Sequence, residues 1–163
     1  MYATCDVADM ASYSLGSASN GGGSGGEEFS FDGGPTSLEG GQFVFVNYES
    51  PSNASAFEAF FGFSSNYSDS VVNFSGNDAI ELFWKSSVVD VFGNVGEDGD
   101  GKSWEYTDGW AYRMDGTSAS TVWSAASWTV QSGALEGYDT NSAAGVNAVP
   151  VKTFSPTPSP TPS

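Results

Sequence analysis

The run Asp78-Ala-Ile-Glu-Leu-Phe-Trp84 puts Ile80, Leu82 and Trp84 on one side of an extended chain and Ala79, Glu81 and Phe83 on the other. Lys85-Ser86-Ser87 then reverses direction, and Val88 to Phe92 returns antiparallel. Two such runs joined by a short polar turn specify a β-hairpin. Gly and Ser are abundant elsewhere and no long amphipathic helical pattern occurs, so the predicted class is all-β.

Other stretches fit that class. Ser12-Tyr13-Ser14-Leu15 and Glu28-Phe29-Ser30-Phe31 alternate as half-buried strands do. Gln42 to Tyr48 is apolar on both faces, which predicts a central strand. Val71 to Phe74, Trp110 to Arg113 and Ser127 to Val130 read as further short strands. One segment changes period. After Ser50-Pro51, residues Ala54, Phe57, Ala59, Phe60 and Phe61 fall at helical spacing. They predict a short helix from about 52 to 61, with Ser55 and Glu58 spaced as a capping box and the phenylalanines against the sheet. Asn20 to Gly26 is a Gly-rich loop, but no Lys-Ser/Thr follows it, so it is not a phosphate loop.

Length and composition bound the rest. The chain of 163 residues fits one domain, 1–150, plus a Pro/Ser/Thr-rich linker over 151–163. Its closing stretch FSPTPSPTPS is expected to be extended and to lead to further domains of a longer chain. Twenty acidic side chains face only Lys85, Lys102, Lys152 and Arg113, a formal net charge of −16. Such a surface repels phosphate backbones and disfavours direct nucleic-acid binding. No histidine is present, which removes Ser-His-Asp and Cys-His catalysis and imidazole metal sites. Cys5 is alone, so it is either a buried small hydrophobe or one half of a bridge whose partner is missing. No apolar run is long enough to span a membrane, and no signal peptide is visible. Three glycosylation sequons, at Asn53, Asn66 and Asn73, together with the acidic balance and the tail, lean towards an extracellular or cell-surface protein.

The hairpin belongs to a wider pattern. GNDAIELF, VVDVFGNVG, WEYTDGWAYR and SWTV together resemble the lamin-tail domain family, in its secreted bacterial and algal form. Upstream, ADMASYSL and LEGGQFVFVNY are similar to further family segments, so the resemblance covers roughly residues 2–137. It implies an immunoglobulin-like β-sandwich with an adhesion role or a protein- or glycan-binding role, in some architectures beside an extracellular nuclease. Family members carry one or two more strands at the start. Here Tyr2-Ala3-Thr4 is similar only to the end of the second, which predicts an empty sheet position and association through exposed edges.

Several residues are candidates for chemistry. Glu97-Asp98-Gly99-Asp100-Gly101 invites a calcium reading, with Asp98, Asp100 and Glu105 as oxygen ligands. Against it, Lys102 stands where the fifth-position ligand of an EF-hand loop belongs, and the alternative is a solvated turn. Glu81, Asp90, Glu105 and Asp108 are the carboxylates from which a small glycosidase-like hydrolase would draw its pair. Asp90, inside an apolar strand, has a second reading as an acceptor for backbone or tryptophan N–H groups. Trp104, Trp110, Tyr112 and Arg113 form an aromatic set that reads as a binding surface or as core. Arg113 within it is expected to stack, or to pair with Glu105 or Asp108. The reading with most support is a non-catalytic binding module. The alternatives are the small hydrolase and a calcium-stabilised structural module.

Overall fold

The computed structural model describes residues 1, 3–48 and 53–151, and the side chains of all of these except 53 and 54. Strands β1 (Tyr13–Ala18), β2 (Phe29–Ser30), β3 (Val46–Asn47) and β4 (Tyr67–Ser68) precede the hairpin of β5 (Ala79–Trp84) and β6 (Ser87–Phe92). Strands β7 (Trp110–Arg113) and β8 (Trp128–Gln131) follow it. One helix, α1 (Asn53–Phe61), lies between β3 and β4. The fold is mostly β in antiparallel sheets with one short helix, as the sequence predicts.

The main sheet runs β2-β1-β5-β6, and every pair in it is antiparallel. The predicted hairpin forms. Lys85 and Ser86 make its two-residue turn, both at positive φ (47° and 63°), the geometry that matches strand twist. β1 extends past the predicted Ser12–Leu15 to Ala18, because Gly16, Ser17 and Ala18 continue the ladder opposite Glu81, Ile80 and Ala79. Along β5, Ala79, Glu81 and Phe83 are buried, while Ile80 and Leu82 are half-buried and Trp84 is exposed. Trp84 carries Lys85 over its ring at 4.7 Å. β6 is the outer strand of the sheet, and Ser120 lies beside it. The Val91 N–H donates to the Ser120 carbonyl (3.0 Å), and the Ser120 N–H donates to the Asp90 carboxylate (3.0 Å).

Among the described residues, two apolar clusters fill the interior. One gathers Ala3, Val7, Met10, Phe31, Leu38, Val44 and Tyr67, with Leu15 and Leu82 of the sheet packed on it. The other gathers Ala18, Ala79, Phe92 and Trp104, with Trp123, Trp128 and Val130 around them. Phe92 is the meeting point of the second cluster. Trp104, Tyr106, Trp123 and Trp128 all approach its ring edge-on, at 4.9–6.2 Å between centroids.

Three expectations are corrected. Gln42 to Tyr48 is not one continuous strand: Val46–Asn47 pairs in parallel with β4, while the Ala3 N–H donates to the Gln42 carbonyl and the Val44 N–H to the Met1 carbonyl, both at 2.9 Å. Its two apolar faces have separate causes. Val44 points into the first cluster, while Phe43 stacks on Phe45 (5.7 Å), and Phe45 meets Phe57 of α1 and Phe63. Second, the Val71–Phe74 segment is a 3-10 turn over Ser70–Val72, begun by Asp69, whose carboxylate accepts the Val71 N–H (2.7 Å). Third, Ser55 lies inside α1, so it does not cap that helix with Glu58. Phe57 and Phe61 pack on each other and on Phe63 beside β3, not on the four-stranded sheet. The predicted helix start at Ser50-Pro51, the Tyr2 position and the linker beyond residue 151 lie outside the described residues. Cys5 is exposed, against the reading that buries it.

Candidate functional site

The acidic loop after β6 is built around Trp104, which is 2% exposed and the largest fully buried side chain among the described residues. Two glycines make room for the indole. A Cβ on Gly99 would stand 2.6 Å from the Trp104 ring, and one on Gly93, whose φ is +80°, would stand 2.9 Å from it. The Gly-rich character of this loop is therefore a packing requirement.

The loop's carboxylates bond to the loop itself. Asp98 accepts from the Asn77 side chain (3.0 Å) and from the Asp100 N–H (3.1 Å). Glu105 accepts from the Gly101 N–H (2.9 Å) and the Thr107 hydroxyl (3.1 Å). Glu97 pairs with Lys102 at 2.7 Å, and this contact raises the ammonium's pKa. Among the described residues no three His, Cys, Asp or Glu side chains gather as a metal ion requires, so Asp98, Asp100 and Glu105 form no such group. A turn closed by its own Asp and Glu acceptors is the arrangement found.

Beneath the loop, Asp78 is 2% exposed and ties distant segments together. It accepts the Asn20 N–H (2.9 Å) and the Ser75 N–H (3.0 Å), and Asn20 sits at φ +50°, a left-handed conformation that asparagine adopts more readily than most residues. Tyr106 is half-buried, and its buried hydroxyl has no hydrogen-bond partner. Burial, and after it the Asp78 charge, pushes the Tyr106 pKa far above the ordinary tyrosine range.

The aromatic set does not form one surface. Trp104 is core. Trp110 is half-buried on β7 and donates its indole N–H to the Asn147 carbonyl (2.7 Å). Tyr112 and Arg113 are half-buried on the same strand. The expected partners of Arg113 are corrected as well. Its guanidinium pairs with Asp90, not with Glu105 or Asp108, and lies 4.4 Å over the Trp128 ring. It also donates to the Ser118 carbonyl (2.9 Å). Asp90 therefore serves an ion pair and backbone N–H groups, with no tryptophan N–H among its partners. An arginine and an aspartate inside apolar strands each need an opposite charge, and that need was the signal available to pair them from sequence.

Two hollows remain. The larger, about 450 Å³, is lined by Phe74, Tyr106, Asp108, Leu135 and Glu136 with intervening glycines. Asp108 and Glu136 are both exposed. The smaller, about 280 Å³, is walled by Glu81, Val91, Asn94, Val95, Val122 and Trp123, and Glu81 is its one carboxylate. Glu81 is 5% exposed, and its Oε2 has no hydrogen-bond partner. Of the sequons, Asn66 and Asn73 are exposed, and Asn66 Oδ1 accepts the Phe45 N–H (2.9 Å); the Asn53 side chain lies outside the described residues.

Comparison with protein-family models, with curated proteins and with solved structures finds no match to this chain. Among the described residues no helix is long and apolar enough to cross a membrane.

Proposed function

We propose that this chain is a non-catalytic binding module of a secreted or cell-surface protein, a lamin-tail-type immunoglobulin-like β-sandwich joined through residues 151–163 to further domains. One observation carries the reading. The four carboxylates a glycosidase-like mechanism would draw on do not share one hollow: Asp90 is taken by Arg113, Glu105 by the loop, Glu81 stands alone in the smaller hollow, and Asp108 lines the larger. Retaining and inverting hydrolysis both need two carboxylates facing one bond. The resemblance adds the adhesion role and the multidomain setting, and the charge of −16 argues for partners other than nucleic acid.

The hydrolase reading keeps one foothold, since Asp108 and Glu136 both line the larger hollow. Both are solvent-exposed, whereas the acid of such a pair sits in an apolar surrounding. One experiment separates the two readings. The purified chain is offered immobilised glycans and extracellular-matrix proteins, and separately a panel of nitrophenyl glycosides. The module reading expects saturable retention on a glycan or protein and no release of nitrophenol. Turnover that disappears in both Asp108→Asn and Glu136→Gln would replace it with the hydrolase.

A further inference from the structure

Glu81 carries one of the buried polar atoms that the fold leaves without a partner, and it is the carboxylate among them. It sits mid-strand in β5, on the face it shares with Ala79 and Phe83, at 5% exposure. Its cross-strand neighbours bring it no donor: Gly16 on β1 has no side chain, and Val91 on β6 is apolar. Oε2 has no hydrogen-bond partner. Native proteins pair buried carboxylates with donors or cations, because an unpaired one gives up its hydration with nothing in return. A buried carboxyl oxygen without a partner in the wall of a hollow points to a partner that arrives from outside.

The hollow states what that partner is. Its volume of about 280 Å³ suits a small group, below the usual range for drug-sized ligands. Val91, Val95 and Val122 line it with apolar surface, Trp123 adds an aromatic wall, and Thr121 stands at its edge. Trp123 is held by Phe92 (5.2 Å) and leans on Trp128 (6.1 Å), so the wall is anchored to the core. Val122 is 72% exposed and marks an open, apolar rim. Glu81 is the one carboxylate there, too few oxygens for calcium or magnesium, which take six or more. One carboxylate, apolar walls and an indole fit an ammonium head on a short hydrocarbon stem. The charge of −16 draws cations towards every face of the molecule.

We propose that the hollow between β5, β6 and residues 121–123 binds a primary alkylammonium group, with Glu81 as its counter-charge and Trp123 as its aromatic wall. The group is supplied either by a free small amine or by a lysine side chain of a protein partner. The proposal deepens the binding-module reading and rests on it.

The test uses the full chain, followed by ¹H–¹⁵N spectra, with n-butylammonium, n-butanol and Nα-acetyl-lysine methylamide as probes. Butylammonium is expected to shift the Trp123 indole and Glu81 amide signals saturably, while butanol at equal concentration does not. Saturable shifts with acetyl-lysine methylamide assign the site to a partner's lysine, and shifts with butylammonium alone assign it to a free amine. Glu81→Gln is expected to weaken binding by about tenfold or more. If that variant misfolds, Trp123→Leu keeps the comparison, with a weaker but measurable loss. Equal binding of butanol and butylammonium, no binding of either, or unchanged affinity in Glu81→Gln overturns the ammonium site. Glycan or matrix retention, measured separately, stands or falls without it, so failure here leaves the module reading distinguishable.

Discussion

At the scale of single residues, the buried and half-buried polar groups divide into those the fold satisfies and those it leaves open. Asp78 and Asp90 are satisfied, the first by two backbone N–H groups and the second by Arg113 and the Ser120 N–H. Glu81 and the Tyr106 hydroxyl are not. Tyr106 gives a prediction with a definite sign. Its pKa is raised in the folded state by burial and by Asp78, while in the unfolded chain it ionises near about 10. Folding therefore holds a proton that unfolding releases, and the associated stability is intact below about pH 10 and lost as pH rises above it. Tyr67, also raised, chiefly by burial and then by Asp32, adds in the same direction. Tyrosinate absorbance of the native chain at about pH 11 is expected to fall short of that in denaturant. The melting temperature of Tyr106→Phe is expected to decline less with alkali than that of the parent chain. Equal alkaline declines in the two proteins would contradict this account of Tyr106.

At the scale of elements, the hairpin was readable because both its determinants are local: alternation along β5 and a two-residue polar turn. The turn is imperfect, since Lys85 and Ser86 occupy the left-handed region without being glycine or asparagine. Ser86→Gly is expected to stabilise the chain by about 1 kcal/mol, measured by urea unfolding, because it removes a Cβ clash at φ 63°. A destabilisation would show that Ser86 makes a contact worth more than its strain. The strands that were misread lack such local determinants. β3 and β4 are two residues each, and the two-sided apolar pattern of Gln42–Tyr48 reports the first apolar cluster on one side and α1 on the other. Apolar faces record what lies above and below a chain, whereas a ladder depends on what lies beside it. The candidate site was half legible for the same reason. The sequence offers Glu81 only as a candidate hydrolase carboxylate on the face shared with Ala79 and Phe83, and Trp123, Val122 and Thr121 come to it from about forty residues away, through a loop with no periodic signal.

At the scale of the molecule, the acidic Gly-rich loop is a wrap around a tryptophan. Gly93 and Gly99 admit the indole of Trp104, Phe92 meets it edge-on, and the loop's carboxylates close the loop on its own amides. The charge on this loop is a property of its surface, and its position in the fold comes from its one buried ring. Equilibrium urea unfolding of Trp104→Ala beside the triple variant Asp98→Asn, Asp100→Asn, Glu105→Gln, in calcium-containing buffer, tests this directly. Trp104→Ala is expected to lose about 3–5 kcal/mol. The triple variant is expected to stay within about 1 kcal/mol of the parent, since the amides keep acceptor oxygens and relieve repulsion in a chain of net charge −16. The reverse order, with the carboxylate variant collapsing and Trp104→Ala near neutral, would contradict the account and return the loop to a cation-binding role.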